Sequence, residues 1–147
     1  MRSESRVGNL FLSYVPQDRE RVRKIANHLS EMGINACDPL EEILPGDNWA
    51  ARLGELLESA DGMVLFVSPD SAKSENTRRE WLYGLSNSRF AGRFFVVQLK
   101  KTNTDDVPWA LHSMSWITEA KPKNVARMVR DALRTEAPKK SRRGEAA

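Results

Sequence analysis

Apolar residues follow two different spacings along this chain, and the two alternate. Short, nearly continuous apolar runs are typical of buried strands, and "GMVLFV" and "RFFVVQL" are the clearest of them. "NLFLSY", "INACD" and "MSWIT" are shorter or less regular runs of the same kind. The sequence therefore predicts five strands, within residues 9–14, 34–38, 62–67, 93–99 and 114–118.

The segments between these runs carry apolar residues at helical spacing. The first has a stripe through Val22, Ile25 and Leu29, with Asp18 as the predicted N-cap and Gly33 as the predicted C′ residue. Further helices are predicted over 49–60, 78–87 and 124–134.

Alternating strands and helices indicate an α/β fold. We expect a flavodoxin-like, doubly wound sheet of about five parallel strands, in the order 2-1-3-4-5, with helices on both faces. A chain of 147 residues, of which 40% are hydrophobic, suits one globular domain. The expected organisation is a flexible N-terminus over 1–8, the domain over 9–134 and a disordered basic tail over 135–147.

This topology predicts where a ligand binds. In an open parallel sheet, ligands bind beyond the carboxyl ends of the strands at the point where the strand order reverses, here between the first and third strands. Ser13 and Tyr14, the loop 39–48 and the segment from Ser68 onward meet there. If the following helix begins near Arg78, Glu80 lies in its first turn and points back toward this crevice.

Charge and cysteine content narrow the class of protein. The net charge of +3 arises largely from residues 135–147, which carry four basic and two acidic side chains. The rest of the chain is therefore nearly neutral, and its composition does not favour nucleic-acid binding. The single cysteine, Cys37, excludes an internal disulfide and fits a reducing compartment. No signal-peptide pattern and no apolar run near ~20 residues is present. We expect a soluble, cytoplasmic protein without membrane contact.

Four sequence pieces, in order and at fitting spacing, resemble the TIR (Toll/interleukin receptor) domain in its bacterial form. They are "FLSY" with Asp18, then "LPGDNW", then "LFVSP", and finally Ser74 six residues before Glu80. The resemblance covers about residues 9–133, and the fold it implies is the flavodoxin-like sheet.

The resemblance implies one of two functions. Many bacterial and plant TIR domains cleave NAD⁺ between nicotinamide and ribose, giving ADP-ribose or a cyclic variant, often in immunity or antiphage defence. Others are non-catalytic modules that nucleate protein assembly. Both functions imply that the domain associates with other copies of itself. Its activation is then expected to come from that assembly or from a separate sensor or partner protein. NAD⁺ is then a substrate, and neither a cofactor nor a metal is implied.

The family's catalytic glutamate falls on Glu80, and its mobile loop falls on residues 38–48. A fixed carboxylate near the ribose suits a reaction whose transition state has oxocarbenium character. The residues expected to contact the substrate are Ser13, Tyr14, Leu44, Pro45, Gly46, Trp49, Ser68 and Arg78.

Several of these residues also have purely structural interpretations, which the sequence leaves open. Near a helix start, the charge of Glu80 is stabilising by ~0.3–1 kcal/mol through the helix dipole alone. Ser68 is also suited to cap a turn before Pro69. Tyr14 fits a half-buried aromatic at a strand end, and Trp49 fits the apolar stripe of its own helix.

Overall fold

The computed structural model describes the backbone of residues 9–146 and the side chains of residues 9–134. Five parallel strands form one sheet in the order β2-β1-β3-β4-β5. The predicted fold class and strand order are therefore confirmed. The strands are β1 (Asn9–Ser13), β2 (Asn35–Cys37), β3 (Gly62–Val67), β4 (Phe94–Gln98) and β5 (Trp116–Ile117).

Six α-helices connect or flank the strands of the described chain, and short 3-10 turns supplement them. The helices are α1 (Arg19–Glu31), α2 (Pro39–Glu42), α3 (Trp49–Ser59), α4 (Pro69–Ala72), α5 (Glu75–Ser86) and α6 (Pro122–Ala146).

The sheet has a separate apolar core on each face. On one face, α1 and α6 contribute Val22, Leu29 and Val129 to a cluster with the strands. On the other face, α3 and α5 contribute Leu57 and Trp81. Every residue of β3 is buried, because this central strand is covered on both sides.

The ends of α1 follow from its sequence. Gly33 adopts a φ of +83°, its amide donates to the carbonyl of Ser30, and the Ile34 amide donates to the carbonyl of Leu29. This pair of bonds is the Schellman arrangement, so the predicted C′ position is confirmed. Asp18 occupies the predicted N-cap position, but its side chain makes no capping hydrogen bond. The Asp18 carboxylate instead accepts a hydrogen bond from the Ser68 hydroxyl.

Elements on both sides of the predicted crevice differ from the prediction. The predicted loop 39–48 contains the short helix α2, because the Asp38 side chain accepts a hydrogen bond from the Leu40 amide and Pro39 suits the first helical position. Helix α5 begins at Glu75 and not near Arg78.

A search of residues 9–146 finds no helix that combines the length and the apolarity needed to span a bilayer. Residues 1–8 lie outside the described part of the chain, as do the side chains after residue 134. The expected flexible N-terminus remains a prediction. Helix α6 continues through the expected basic tail to Ala146 and so extends beyond the predicted end of the last helix at residue 134, and the mobility of this tail remains a prediction.

Gly84 sets how closely α5 approaches the sheet. A Cβ at this position would lie 2.5 Å from Cε1 of Phe94 and 3.0 Å from Sδ of Met63. Overpacking costs about 1–3 kcal/mol and alanine gains about 1 kcal/mol in helix propensity, so Gly84→Ala should lower the free energy of unfolding by up to about 2 kcal/mol. Denaturant unfolding measures this.

Gly54 on α3 is the matched control, because a Cβ there would meet no atom of the described chain within 4 Å. Gly54→Ala should raise the free energy of unfolding by up to about 1 kcal/mol. Equal stabilities of the two alanine variants would contradict the tight contact at Gly84.

Candidate active site

Glu80 lies in the second turn of α5, not in the first turn as predicted. The helix begins earlier than expected because the Ser74 side chain accepts a hydrogen bond from the Thr77 amide at 3.3 Å and so caps the helix. The dipole of the helix start therefore does not explain Glu80. Instead its side chain is turned inward, and the residue is only 7% exposed.

A short hydrogen-bond chain orients the carboxylate of Glu80. The Ser13 hydroxyl at the end of β1 donates to Glu80 Oε1 at 2.6 Å, and the Trp81 indole N–H donates to Ser13 Oγ at 3.0 Å. Because the indole can only donate, it fixes the hydroxyl as an acceptor on that side and directs its proton to Glu80. Glu80 Oε2 makes no hydrogen bond to any residue that the structure describes.

Burial strongly affects the ionisation of Glu80. Desolvation raises the pKa of this carboxyl from 4.5 to about 7, and the hydrogen bond from Ser13 acts in the opposite direction. A carboxyl that titrates near neutral pH beside a cavity is typical of a functional group in an enzyme.

Glu80 lines a cavity of about 310 Å³ between α3 and α5. This volume is at the lower end of the range for small-molecule sites, about 300–1,000 Å³, so it suits one end of a dinucleotide. The lining residues are Trp49, Ala50, Leu53, Gly54, Leu57, Asn76, Arg79, Glu80 and Tyr83.

Of the predicted substrate contacts, Ser13 and Trp49 lie with Glu80. Ser13 touches the carboxylate, and Trp49 lines the same cavity with its side chain partly exposed. The indole of Trp49 therefore lies on the cavity wall and not in the buried core.

Tyr14 lies on the other face of the sheet from Ser13, because successive strand residues point to opposite sides. Its ring packs edge-on against Phe66, and its hydroxyl donates to Asp38 at 2.7 Å. Burial raises the pKa of the Tyr14 phenol, and the hydrogen bond to Asp38 adds to this effect. Tyr14 anchors the start of α2.

Ser68 is fully buried and is engaged by other protein groups. It caps α4 by accepting a hydrogen bond from the Ser71 amide at 3.1 Å, and its hydroxyl donates to Asp18 at 2.5 Å. The other carboxylate oxygen of Asp18 is buried and has no hydrogen-bond partner among the described residues. This pair links the segment after β1 to the segment after β3.

Arg78 points away from the cavity. Its guanidinium donates to the carbonyls of Ala72 at 2.8 Å and Asp106 at 3.2 Å. The next residue, Arg79, lines the cavity and pairs with Glu75 at 3.8 Å.

Leu44, Pro45 and Gly46 form the exposed tip of the loop between α2 and α3 and do not line the cavity. Leu44 is 61% exposed, and Gly46 has a φ of +94°, which favours glycine. Substrate contacts by these three residues, and by Tyr14, Ser68 and Arg78, remain predictions.

Comparison with protein families gives one match that covers most of the chain. The family model described as "TIR domain" matches residues 10–134. The chain belongs to the TIR domain family. This confirms the membership predicted from the sequence motifs. Comparison with curated proteins finds no match.

Solved structures with the same fold include other TIR domains. That of the Toll-related receptor TRR-2 from Hydra magnipapillata has a TM-score of 0.66 and 20% identity, over 82% of this chain and 97% of that one. A TIR-STING receptor from C. gigas in complex with 2′,3′-cGAMP has a TM-score of 0.71 and 23% identity, over 84% of this chain and 38% of that one. A prokaryotic SEFIR domain has a TM-score of 0.62 and 17% identity, over 86% of this chain and 91% of that one.

The sequence-based prediction of the site in this TIR domain missed two kinds of residue. Asn76 and Tyr83 lie four residues before and three residues after Glu80, so helical spacing alone was sufficient to place them beside it. Leu53 and Gly54 come from α3, and no local signal indicates which face of that helix meets α5.

The raised pKa of Glu80 predicts how the stability of the TIR domain depends on pH. Below 4.5 the carboxyl is protonated in both states, whereas between 4.5 and about 7 only the unfolded state loses its proton. This favours unfolding as the pH rises, by about 3 kcal/mol in total for a shift of this size, and the effect levels off above the folded pKa.

Glu80→Gln removes this titration and keeps an acceptor for Ser13. The free energy of unfolding of the variant, relative to wild type, should therefore increase from acid to neutral pH by up to about 3 kcal/mol. Denaturant unfolding of both proteins across this range measures the difference. A difference that does not change with pH would contradict the raised pKa.

Proposed function

We propose that this TIR domain is an NAD⁺ glycohydrolase with Glu80 as its catalytic residue. The observation that carries the proposal is the buried Glu80 carboxylate, held by Ser13 at 2.6 Å through one oxygen, with the side chain on the wall of the cavity between α3 and α5. Burial of a carboxyl with one oxygen left unbonded costs stability, and such a group beside a cavity is typical of a functional site.

The chemistry requires one well-placed negative charge. When the bond between C1′ of the ribose and the nicotinamide nitrogen breaks, its electron pair neutralises the pyridinium and the ribose becomes oxocarbenium-like. The ionised Glu80 carboxylate stabilises that developing positive charge in a site that partly excludes water. Water then adds to C1′ and releases a proton to give ADP-ribose, or a nucleophile within the ADP-ribosyl group gives a cyclic product.

Glu80 acts in its ionised form. Its pKa of about 7 means that both forms are present at neutral pH in the free protein. A bound pyridinium cation favours the carboxylate, because an opposite charge nearby lowers the pKa of an acid. Substrate binding thus helps to create the charge that the reaction uses.

Self-association is the expected means of control, and the biological setting that we propose is bacterial immunity or signalling. A TIR-STING receptor shares the fold, and by analogy this domain takes its trigger from a sensing partner or from assembly with other copies. The competing function is a non-catalytic assembly module. The exposed apolar Leu44 at the loop tip is the observation that favours it.

The proposal is tested by incubating the purified protein with NAD⁺ over a series of protein concentrations, with and without a crowding agent. Chromatography should detect nicotinamide in equal amount to ADP-ribose or its cyclic form, with a rate per molecule that rises as the protein assembles. Assembled protein that releases no nicotinamide would overturn the proposal and favour the assembly module.

A further inference from the structure

We infer that Asn76 recognises the carboxamide of the nicotinamide ring and thereby selects NAD⁺ over nicotinic acid adenine dinucleotide. The inference rests on the proposed function and adds the residue that distinguishes the nicotinamide ring from the nicotinic acid ring. It concerns a side chain that contacts substrate and does not take part in bond cleavage.

Asn76 is placed to act beside Glu80. The two residues are four positions apart on α5, so their side chains are neighbours on one face of the helix, with Cβ atoms about 5–6 Å apart. Both line the same cavity. The Asn76 amide is exposed and makes no hydrogen bond to the described residues, so its donor and its acceptor are both available to a ligand.

The remaining walls suit a flat cationic ring. Trp49 and Tyr83 contribute aromatic side chains, and Leu53 and Leu57 contribute apolar ones. Aromatic faces attract a cation such as the pyridinium of NAD⁺. If the ring lies against these side chains with its glycosidic bond toward Glu80, its carboxamide is about one ring width from that bond. Asn76 lies one helical turn from Glu80, so its side chain is within reach of the carboxamide.

Hydrogen-bond chemistry then separates the two dinucleotides. A primary carboxamide and an asparagine amide each offer one acceptor and an NH₂ donor, so they pair through two hydrogen bonds. The carboxylate of the nicotinic acid ring accepts only, which leaves the Asn76 carbonyl unpaired, and it brings a second negative charge close to Glu80. A site that pairs with a polar group discriminates against an analogue that lacks it.

Arg79 does not reverse this preference. It lines the same cavity, but its side chain is 75% exposed and lies 3.8 Å from Glu75. Solvent and the nearby carboxylate therefore screen its attraction for an acidic ring substituent.

The test compares kcat/KM for NAD⁺ and for nicotinic acid adenine dinucleotide in wild type, Asn76→Leu and Asn76→Lys. Wild type should prefer NAD⁺ by roughly 10-fold or more, since each lost hydrogen bond costs about 1 kcal/mol and like charges add to it. Asn76→Leu keeps the size of the side chain and should lower the ratio by about fivefold, the part that a hydrogen bond of about 1 kcal/mol supplies, while the repulsion from Glu80 stays. Asn76→Lys should favour the nicotinic acid form. Glu58→Gln on α3, which removes an exposed charge outside the cavity lining, should retain the wild-type ratio.

A binding measurement separates this inference from the proposed function. Free nicotinamide and free nicotinic acid are titrated into wild type and Asn76→Leu, and the shifts of the cavity resonances are followed by NMR. Nicotinamide binding that depends on Asn76 without NAD⁺ turnover would support the recognition and overturn the glycohydrolase. Turnover with an unchanged substrate ratio in Asn76→Leu would overturn the inference alone. Absence of both binding and turnover would overturn both.

Discussion

Replacing Glu80 by glutamine is expected to lower the rate of nicotinamide release from NAD⁺ by roughly 100- to 1,000-fold, the usual effect of removing a preorganised electrostatic contact to a transition state. The glutamine retains the shape of the side chain and the hydrogen bond from Ser13, but it carries no charge. The loss therefore isolates the negative charge as the catalytic element. The measurement is the initial rate of nicotinamide release at saturating NAD⁺.

Glu75→Gln is the matched control for this substitution. Glu75 lies on the same helix, loses the same charge and does not line the cavity, and its side chain is 86% exposed. Its rate should stay within about twofold of wild type, because solvent screens an exposed charge. Since Glu80→Gln should also be the more stable protein at neutral pH, unfolding does not explain its loss of activity. Equal rates in the two variants would contradict a catalytic Glu80.

Filling the cavity from α3 is expected to stop the reaction without touching Glu80. Gly54 lies on the cavity wall, and a Cβ there would meet no atom of the described chain within 4 Å. Gly54→Leu should therefore extend four carbon atoms into the space that the nicotinamide end occupies. We expect a decrease in kcat/KM on the order of 100-fold, the effect of a misplacement of about 1 Å at a reacting centre.

The same substitution should make the protein more stable. Leucine is favoured over glycine within a helix by roughly 0.5–1 kcal/mol, so the melting temperature should rise while activity falls. Gly54→Ala serves as the control, with similar stabilisation and near wild-type activity. Full activity of Gly54→Leu would show that the substrate binds outside this cavity.

The fold was predictable because its strongest signals are local. An uninterrupted apolar run such as Gly62–Val67 has to be buried on both faces, and a stripe through Val22, Ile25 and Leu29 has to cover one of them. Together with alternating elements, these patterns restrict the topology to a doubly wound parallel sheet. Short elements were harder to predict. Helix α2 was missed because its N-cap lies within a segment rich in turn residues.

The site was predictable only in part, because its parts come from distant segments. The family motif predicted Glu80 as the catalytic residue, and the predicted strand order placed Ser13 at the same crevice. The burial of Ser68 against Asp18 depends on a contact across 50 positions that no local pattern encodes. The choice between Arg78 and Arg79 depends on the rotation of α5 about its axis, which its tertiary packing on the sheet through residues such as Trp81 determines.

The pH dependence of kcat/KM for nicotinamide release tests the central claim most directly, because kcat/KM reports the ionisation of the free enzyme. If the ionised Glu80 carboxylate performs the reaction, kcat/KM should rise with pH, with an apparent pKa near 7, and then level off. The two histidines, His28 and His112, do not line the cavity, and the residual activity of Glu80→Gln should lack this rise. A profile that is flat through neutral pH, or that falls as the pH rises, would contradict the account.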